Sequence, residues 1–160
     1  MIELKKIEEK DKELLIEIFK NQEVKKTYMI PDFDDESMYE KMFMGFVKMS
    51  SNPSRYVRGV YLDDTIIGFV NEVEKTEESI ELGYVISPKY KGNGYCTEAL
   101  EKSINFLLSN FYKEVICGAF EHNLASIRVM EKAGMKKIMK TDDIEYRGQV
   151  HKCVYYAVHI

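Results

Sequence analysis

The segment from Ser79 to Phe120 does more than any other to limit what this chain can fold into. SIELGYVISP, ending at Pro88, is rich in aromatic and β-branched residues and reads as a strand that the proline stops. Lys89-Tyr90-Lys91-Gly92-Asn93-Gly94 follows as a glycine-rich turn. Beyond it, Cys96, Ala99, Leu100, Ile104, Leu107, Leu108 and Phe111 recur at helical spacing as one apolar stripe. Glu114–Phe120 (EVICGAF) is then a short apolar strand, the kind that is buried at the centre of a sheet.

The flanking sequence extends the same alternation. Met1–Leu4 is a strand candidate. Leu14, Leu15, Ile18 and Phe19 mark a helix with Asp11 as its N-cap. Met38, Met42, Phe46 and Met49 mark a second amphipathic helix, which starts after the acidic Asp32–Glu36 stretch and so meets the positive end of its dipole with negative charge. Arg55–Leu62 and Thr65–Val73 form a hairpin around Asp63-Asp64, although no glycine is present. Leu124–Ala133 is a short helix closed by Gly134. Met135–Tyr146 and Val150–Ile160 are two closing strands that bend at Arg147-Gly148. The order β-α-α-β-β-β-α-β-α-β-β predicts one α/β domain over residues 1–160, a mixed central sheet with helices on both faces.

Several function classes drop out on composition. A net charge of −4 argues against a nucleic-acid partner, whose phosphates call for a basic surface. It leaves room for a local basic pocket. Cys96, Cys117 and Cys153 form no CxxC pair, and His122, His151 and His159 show no ligand spacing, so neither a disulfide framework nor a metal site is expected. No apolar run approaches the roughly 20 residues that span a bilayer, and the first residues lack a signal core. A cytoplasmic protein with reduced thiols is the expectation.

The glycine turn carries the clearest chemistry. Glycine lets a ligand approach the main chain closely, and the first amides of a helix have no intrahelical partner. Together they make an anion site at the positive end of the helix, to which Lys91 adds charge and Thr97 a hydroxyl donor. The same spacing also serves an ordinary strand-to-helix turn. A P-loop is excluded because GK[ST] is missing. A dinucleotide fingerprint is disfavoured because Thr97 stands at its third glycine.

Downstream lies Asn123-Leu124-Ala125-Ser126-Ile127-Arg128-Val129-Met130-Glu131-Lys132-Ala133-Gly134-Met135. With ELGYVISP and KGNGYCTEAL before it, the chain resembles the GNAT superfamily of acyl-CoA-dependent N-acetyltransferases. It is most similar to the branch that acetylates protein N-terminal amines, including ribosomal-protein alanine N-acetyltransferases. Lys89 departs from the arginine or glutamine usual at the head of the turn, keeping the charge but losing planar donors.

The resemblance implies an acetyl-CoA cosubstrate and no metal. Strands Glu81–Ser87 and Val115–Phe120 would splay, with the pantetheine arm paired to backbone around Val85, Ile86 and Ser87. The pyrophosphate would lie at the turn, among Lys89, Lys91, Gly92, Asn93, Gly94, Tyr95, Cys96 and Thr97. Glu81 would be general base through a water, a backbone N–H near Val85 the oxyanion donor, and Ser126 the partner of the leaving sulfur. Strand alternation puts Glu81, Gly83, Val85 and Ser87 on one face. Asn123 is expected to cap its helix and touch pantetheine, and Tyr84 and Tyr95 to pack as rings.

The acceptor is expected to be a peptide N-terminal amine. Alternatives are a polyamine, amino acid or aminoglycoside, or an acyl-CoA-binding sensor without turnover. Asp32, Asp34, Asp35 and Glu36 suit either a cationic acceptor or a solvated helix start. The apolar C-terminal VYYAVHI offers an edge for a homodimer.

Overall fold

The computed structural model describes all 160 residues. Two hairpins show how local chemistry builds its sheet. β2 (Val57–Leu62) and β3 (Thr65–Lys75) are joined by Asp63 and Asp64 at φ 48° and 68°. Two left-handed residues in succession give a turn whose twist matches that of the strands, and aspartate tolerates this region better than most side chains. β6 (Lys136–Tyr146) and β7 (Gln149–His159) are joined the same way by Arg147 and Gly148, at φ 51° and 77°.

With β1 (Glu3–Lys5), β4 (Ser79–Ile86) and β5 (Glu114–Phe120), the strands form one seven-stranded sheet in the order β1-β2-β3-β4-β5-β7-β6. Every neighbouring pair is antiparallel except β4 and β5, which run parallel. β7 is enclosed between β5 and β6, so its backbone is already paired on both sides. That corrects the expectation that the C-terminal strand offers an edge to a second copy; the edges are β1 and β6.

The five helices are α1 (Lys12–Lys20), α2 (Gln22–Lys25, a single turn), α3 (Glu36–Ser51), α4 (Tyr95–Asn110) and α5 (Leu124–Lys132). α4 and α5 cover one face of the sheet, where Leu100, Ile104, Leu107 and Met130 pack with Ile80, Leu82, Val115 and Cys117. α1 and α3 cover the other, where Leu15, Phe19, Phe43 and Phe46 pack with Val57, Phe69 and Val85. The mixed sheet with helices on both faces is the predicted architecture. No helix is long and apolar enough to cross a membrane.

Three local expectations change. α3 buries Tyr39, Phe43, Phe46 and Ser50; of the expected stripe Phe46 is buried, Met42 and Met49 pack half-buried against the core, and Met38 is exposed, as is Met44. The rings win because they interlock: Phe19, Phe46 and Phe69 meet edge to face at 5.0–5.9 Å between centroids. Asp11 does not cap α1 through its side chain; its carboxylate accepts the Glu8 N–H (2.9 Å) and the Tyr61 hydroxyl (2.6 Å). The α4 stripe stops short of Phe111, which is exposed, and includes Ser103, buried against the Tyr56 hydroxyl at 3.0 Å.

Candidate active site

β4 and β5 are paired only over Ser79–Leu82 and Glu114–Cys117. β4 stays on β3 as far as Ile86, and β5 stays on β7 as far as Phe120. The two strands therefore part, and a gap opens beyond Leu82 and Cys117. Ser87 N–H donates to Ile67 O at 2.7 Å. In an antiparallel ladder alternate residues share that direction. Val85 thus turns its amide toward β3, and Tyr84 and Ile86 turn theirs toward the gap. An extended chain lying there meets strand backbone with free hydrogen-bonding groups. The cleft at this gap has a volume of about 600 Å³ and is walled by α2, α4 and α5.

The glycine turn forms one end of the cleft. Gly92 and Gly94 sit at φ 80° and 77°, where an L side chain is strained. A Cβ at either position would meet nothing, so backbone conformation rather than space calls for glycine. Asn93 Nδ2 donates to Tyr90 O (3.1 Å) and Lys91 O (3.2 Å), bracing the turn from outside the cleft. Ser87 Oγ accepts the Lys89 N–H at 3.4 Å. The amides of residues 92–97 donate to no acceptor in the chain; the first to bond is Glu98, to Gly94 O at 3.0 Å. Six free donors thus converge at the N-terminus of a 16-residue helix. Neighbouring cations are paired: Lys26 with Glu23 at 2.9 Å and Lys89 with Glu17 at 2.6 Å. Lys91 and Lys132 line the cleft and make no ion pair. This donor set fits a diphosphate, and the parted strands fit an extended amide-bearing arm, as coenzyme A has.

α5 supplies the opposite wall. Asn123 Oδ1 accepts the Ser126 N–H at 3.2 Å, capping the helix. Ser126 Oγ lies 2.7 Å from the Tyr84 hydroxyl, which is also 3.3 Å from Ser126 O. Burial pushes the Tyr84 phenol well above the ordinary tyrosine range.

The other face of the gap carries acid chemistry. Glu81 alternates with Ile80 and Leu82, which face α4, so its carboxyl points away from that helix. Burial raises its pKa; Glu74 and Asp142 add to the rise, and Lys140 opposes it. Tyr155 donates to Asp142 Oδ2 at 2.7 Å and lies across Gly118, where a Cβ would come within 2.7 Å of its ring. Tyr28 lies over Gly83 and donates its hydroxyl to Asn71 Oδ1 at 2.8 Å.

Residues 2–136 match the model of the acetyltransferase (GNAT) domain. The chain belongs to the GNAT family of acetyltransferases. This GNAT chain is 32% identical over 85 residues to YjdG of Bacillus subtilis (strain 168), an uncharacterized N-acetyltransferase. That match spans 52% of this chain and about half, 49%, of the relative's length. Among solved structures it superimposes on the ribosomal L7/L12 α-N-protein acetyltransferase RimL in complex with coenzyme A, at TM-score 0.87 and 13% identity, over 99% of this chain and 94% of that one. It superimposes on spermidine N-acetyltransferase from Vibrio cholerae in complex with CoA and spermine at TM-score 0.83 and 13% identity, over 99% and 95%. These two likenesses are of fold.

Within the GNAT fold, Val85, Ile86, Lys91, Gly92, Gly94, Tyr95, Cys96, Thr97, Asn123 and Ser126 all line the cleft. Ser87, Lys89, Asn93 and Glu81 lie outside its lining. Ser87 and Asn93 support the turn, Lys89 is committed to Glu17, and Glu81 sits where β4 and β5 are still paired. Burial pushes the Cys96 thiol up to about 12, which makes it a packing group rather than an activated one. His122 is exposed, with Nε2 3.4 Å from His151 Nδ1. Sequence reasoning missed Tyr28, the α2 residues and Lys132 as lining, and took Tyr84 for a packed ring. Alternation held the clue to Tyr84: it is out of phase with Glu81 and so faces α5.

Proposed function

We propose that this GNAT acetyltransferase moves the acetyl group of acetyl-CoA directly to the α-amine of a peptide or protein N-terminus, through a tetrahedral intermediate. The observation that carries the reading is the set of six free amides at residues 92–97, aligned with the gap that leads to Tyr84 and Ser126. A diphosphate on those amides, with Lys91 and Lys132 beside it, directs the arm along the free amides of Tyr84 and Ile86. The thioester is then flanked by Ser126 on the α5 side and approached from the Glu81 side by the amine.

Glu81 accepts the amine's proton through a water. Its raised pKa makes it a stronger base than an ordinary carboxylate once ionised. Because alternation turns the Val85 amide to β3, the Tyr84 or Ile86 N–H takes the oxyanion role. The departing sulfur meets the Ser126 hydroxyl.

The state of the acidic stretch favours an α-amine. Asp32 is held by Lys25 (2.9 Å) and Arg147 (3.0 Å), Asp35 caps α3 by accepting the Ser37 N–H (2.9 Å), and Glu36 pairs with Lys20 (2.7 Å). Asp34 alone of the stretch is exposed without an ion-pair or cap partner, a single charge with which to gather a polycation. An α-amine, with a pKa near 8, also needs far less help to lose its proton than a side-chain amine near 10.4. The test is release of free thiol from acetyl-CoA across peptides, polyamines and aminoglycosides. Peptides with a free N-terminus should turn over and N-blocked peptides should not. Turnover confined to spermidine or an aminoglycoside would overturn the peptide assignment.

A further inference from the structure

We infer that Tyr84 is a positioning residue for the leaving-group step: it donates its phenolic hydrogen to Ser126 Oγ and thereby turns the Ser126 hydrogen outward, toward the departing sulfur. The inference rests on the acyl-transfer reading above and deepens it. Ser126 is held at two points. Its N–H is taken by Asn123 Oδ1 at 3.2 Å, which fixes the backbone, and its Oγ sits 2.7 Å from the Tyr84 hydroxyl. Rotation of its own O–H is the freedom that remains.

The direction of the hydroxyl pair follows from acidity and surroundings. A phenol is a stronger acid than an alkanol, so the shorter bond runs from tyrosine to serine. Burial keeps the phenol protonated at every working pH, so the donor is always present. The only other acceptor given to that phenol is Ser126 O, at 3.3 Å, a weaker contact. Both residues line the cleft, Tyr84 two positions beyond the last β4–β5 pair. Tyr84 meets the sulfur only through Ser126.

In the step itself the amine nitrogen bonds to the acetyl carbon and the carbon–sulfur bond breaks, its electron pair staying on sulfur. Ser126 keeps its proton and stabilises the thiolate by a hydrogen bond. The proton shed by nitrogen passes through Glu81 and water and ends on sulfur as free thiol.

The test compares steady-state rates of wild type, Tyr84→Phe, Ser126→Ala and the double variant with a peptide acceptor. Tyr84→Phe should lower kcat about tenfold or more while KM for acetyl-CoA stays within about twofold, and the double variant should be no slower than Ser126→Ala by more than about twofold. Replacement of Tyr84 by 3,5-difluorotyrosine keeps the shape if the phenylalanine variant folds poorly. It remains a protonated donor in the same buried place and should keep kcat within about threefold of wild type. Multiplicative losses, a raised KM with unchanged kcat, or a difluorotyrosine variant as slow as Tyr84→Phe would overturn the role of Tyr84. Absence of turnover in wild type with every acceptor would instead overturn the acyl-transfer reading.

Discussion

Glu81 illustrates how one side chain acquires its chemistry from its setting. Burial and the neighbouring Glu74 and Asp142 raise its pKa, with Lys140 pulling the other way. In the proposed role of base it works ionised, so kcat/KM for the proposed N-terminal peptide acceptor should rise with pH through a pKa above the ordinary glutamate range. Glu81→Gln should remove that limb and lower kcat by about 100-fold while leaving coenzyme A affinity intact. A sensor protein would have no turnover to lose. The linkage to stability has the opposite sense: a raised carboxyl pKa favours folding when protonated, and that contribution fades as pH climbs through the folded value. Glu81→Gln should therefore melt no lower than wild type at pH 8. The place of Asn123 and Ser126 beside the cleft could be expected from sequence because each stands at a fixed offset in a motif, whereas Glu81 lies outside the lining, where β4 and β5 are still paired. The Tyr84–Ser126 pair could not be expected, because it joins side chains 42 positions apart, which no local spacing encodes.

At the scale of elements, the glycine turn and α4 act as one unit, and the turn was read from sequence because two glycines stand between a strand pattern and a helical stripe, a spacing that an ordinary strand-to-helix turn shares. Gly94→Ala should cost about 1–2 kcal/mol of stability, seen by denaturant titration, and should also weaken coenzyme A binding, since the same φ aims the amides. A second unit was invisible beforehand. The Tyr146 hydroxyl at the β6–β7 turn donates to Lys25 O at 2.6 Å, and Arg147 grips Asp32 at 3.0 and 3.1 Å and Gln22 at 2.9 Å. The buried Lys25 ammonium in turn meets the Tyr39 hydroxyl at 2.6 Å and Asp32 at 2.9 Å. The hairpin thus straps the 26–35 segment over the Glu81 face. Tyr146→Phe should cost about 1 kcal/mol and raise the KM of a peptide acceptor more than that of acetyl-CoA. Sequence periodicity put Phe46 in the α3 stripe but missed Tyr39 and Phe43 for a similar reason: it sees apolar spacing, whereas ring packing in three dimensions decides which residues are buried.

For the whole molecule, the decisive feature is one parallel pair in an otherwise antiparallel sheet. β4 and β5 are each better paired on their outer sides, to β3 and β7, and so part where their mutual pairing ends. Composition and alternation predicted a mixed sheet between two helical layers, and the family motifs predicted the splay. Strand order lay beyond them, because it depends on which edges meet after the chain has crossed the sheet; β7 inserts between β5 and β6 instead of closing the edge. The gap, the six free amides and two unpaired lysines concentrate positive potential in a chain of net charge −4. Isothermal titration calorimetry of the intact protein with coenzyme A measures that arrangement directly. Saturable one-to-one binding with Kd below about 1 mM, weakening as salt is raised, is the predicted result. No heat at millimolar coenzyme A would contradict it.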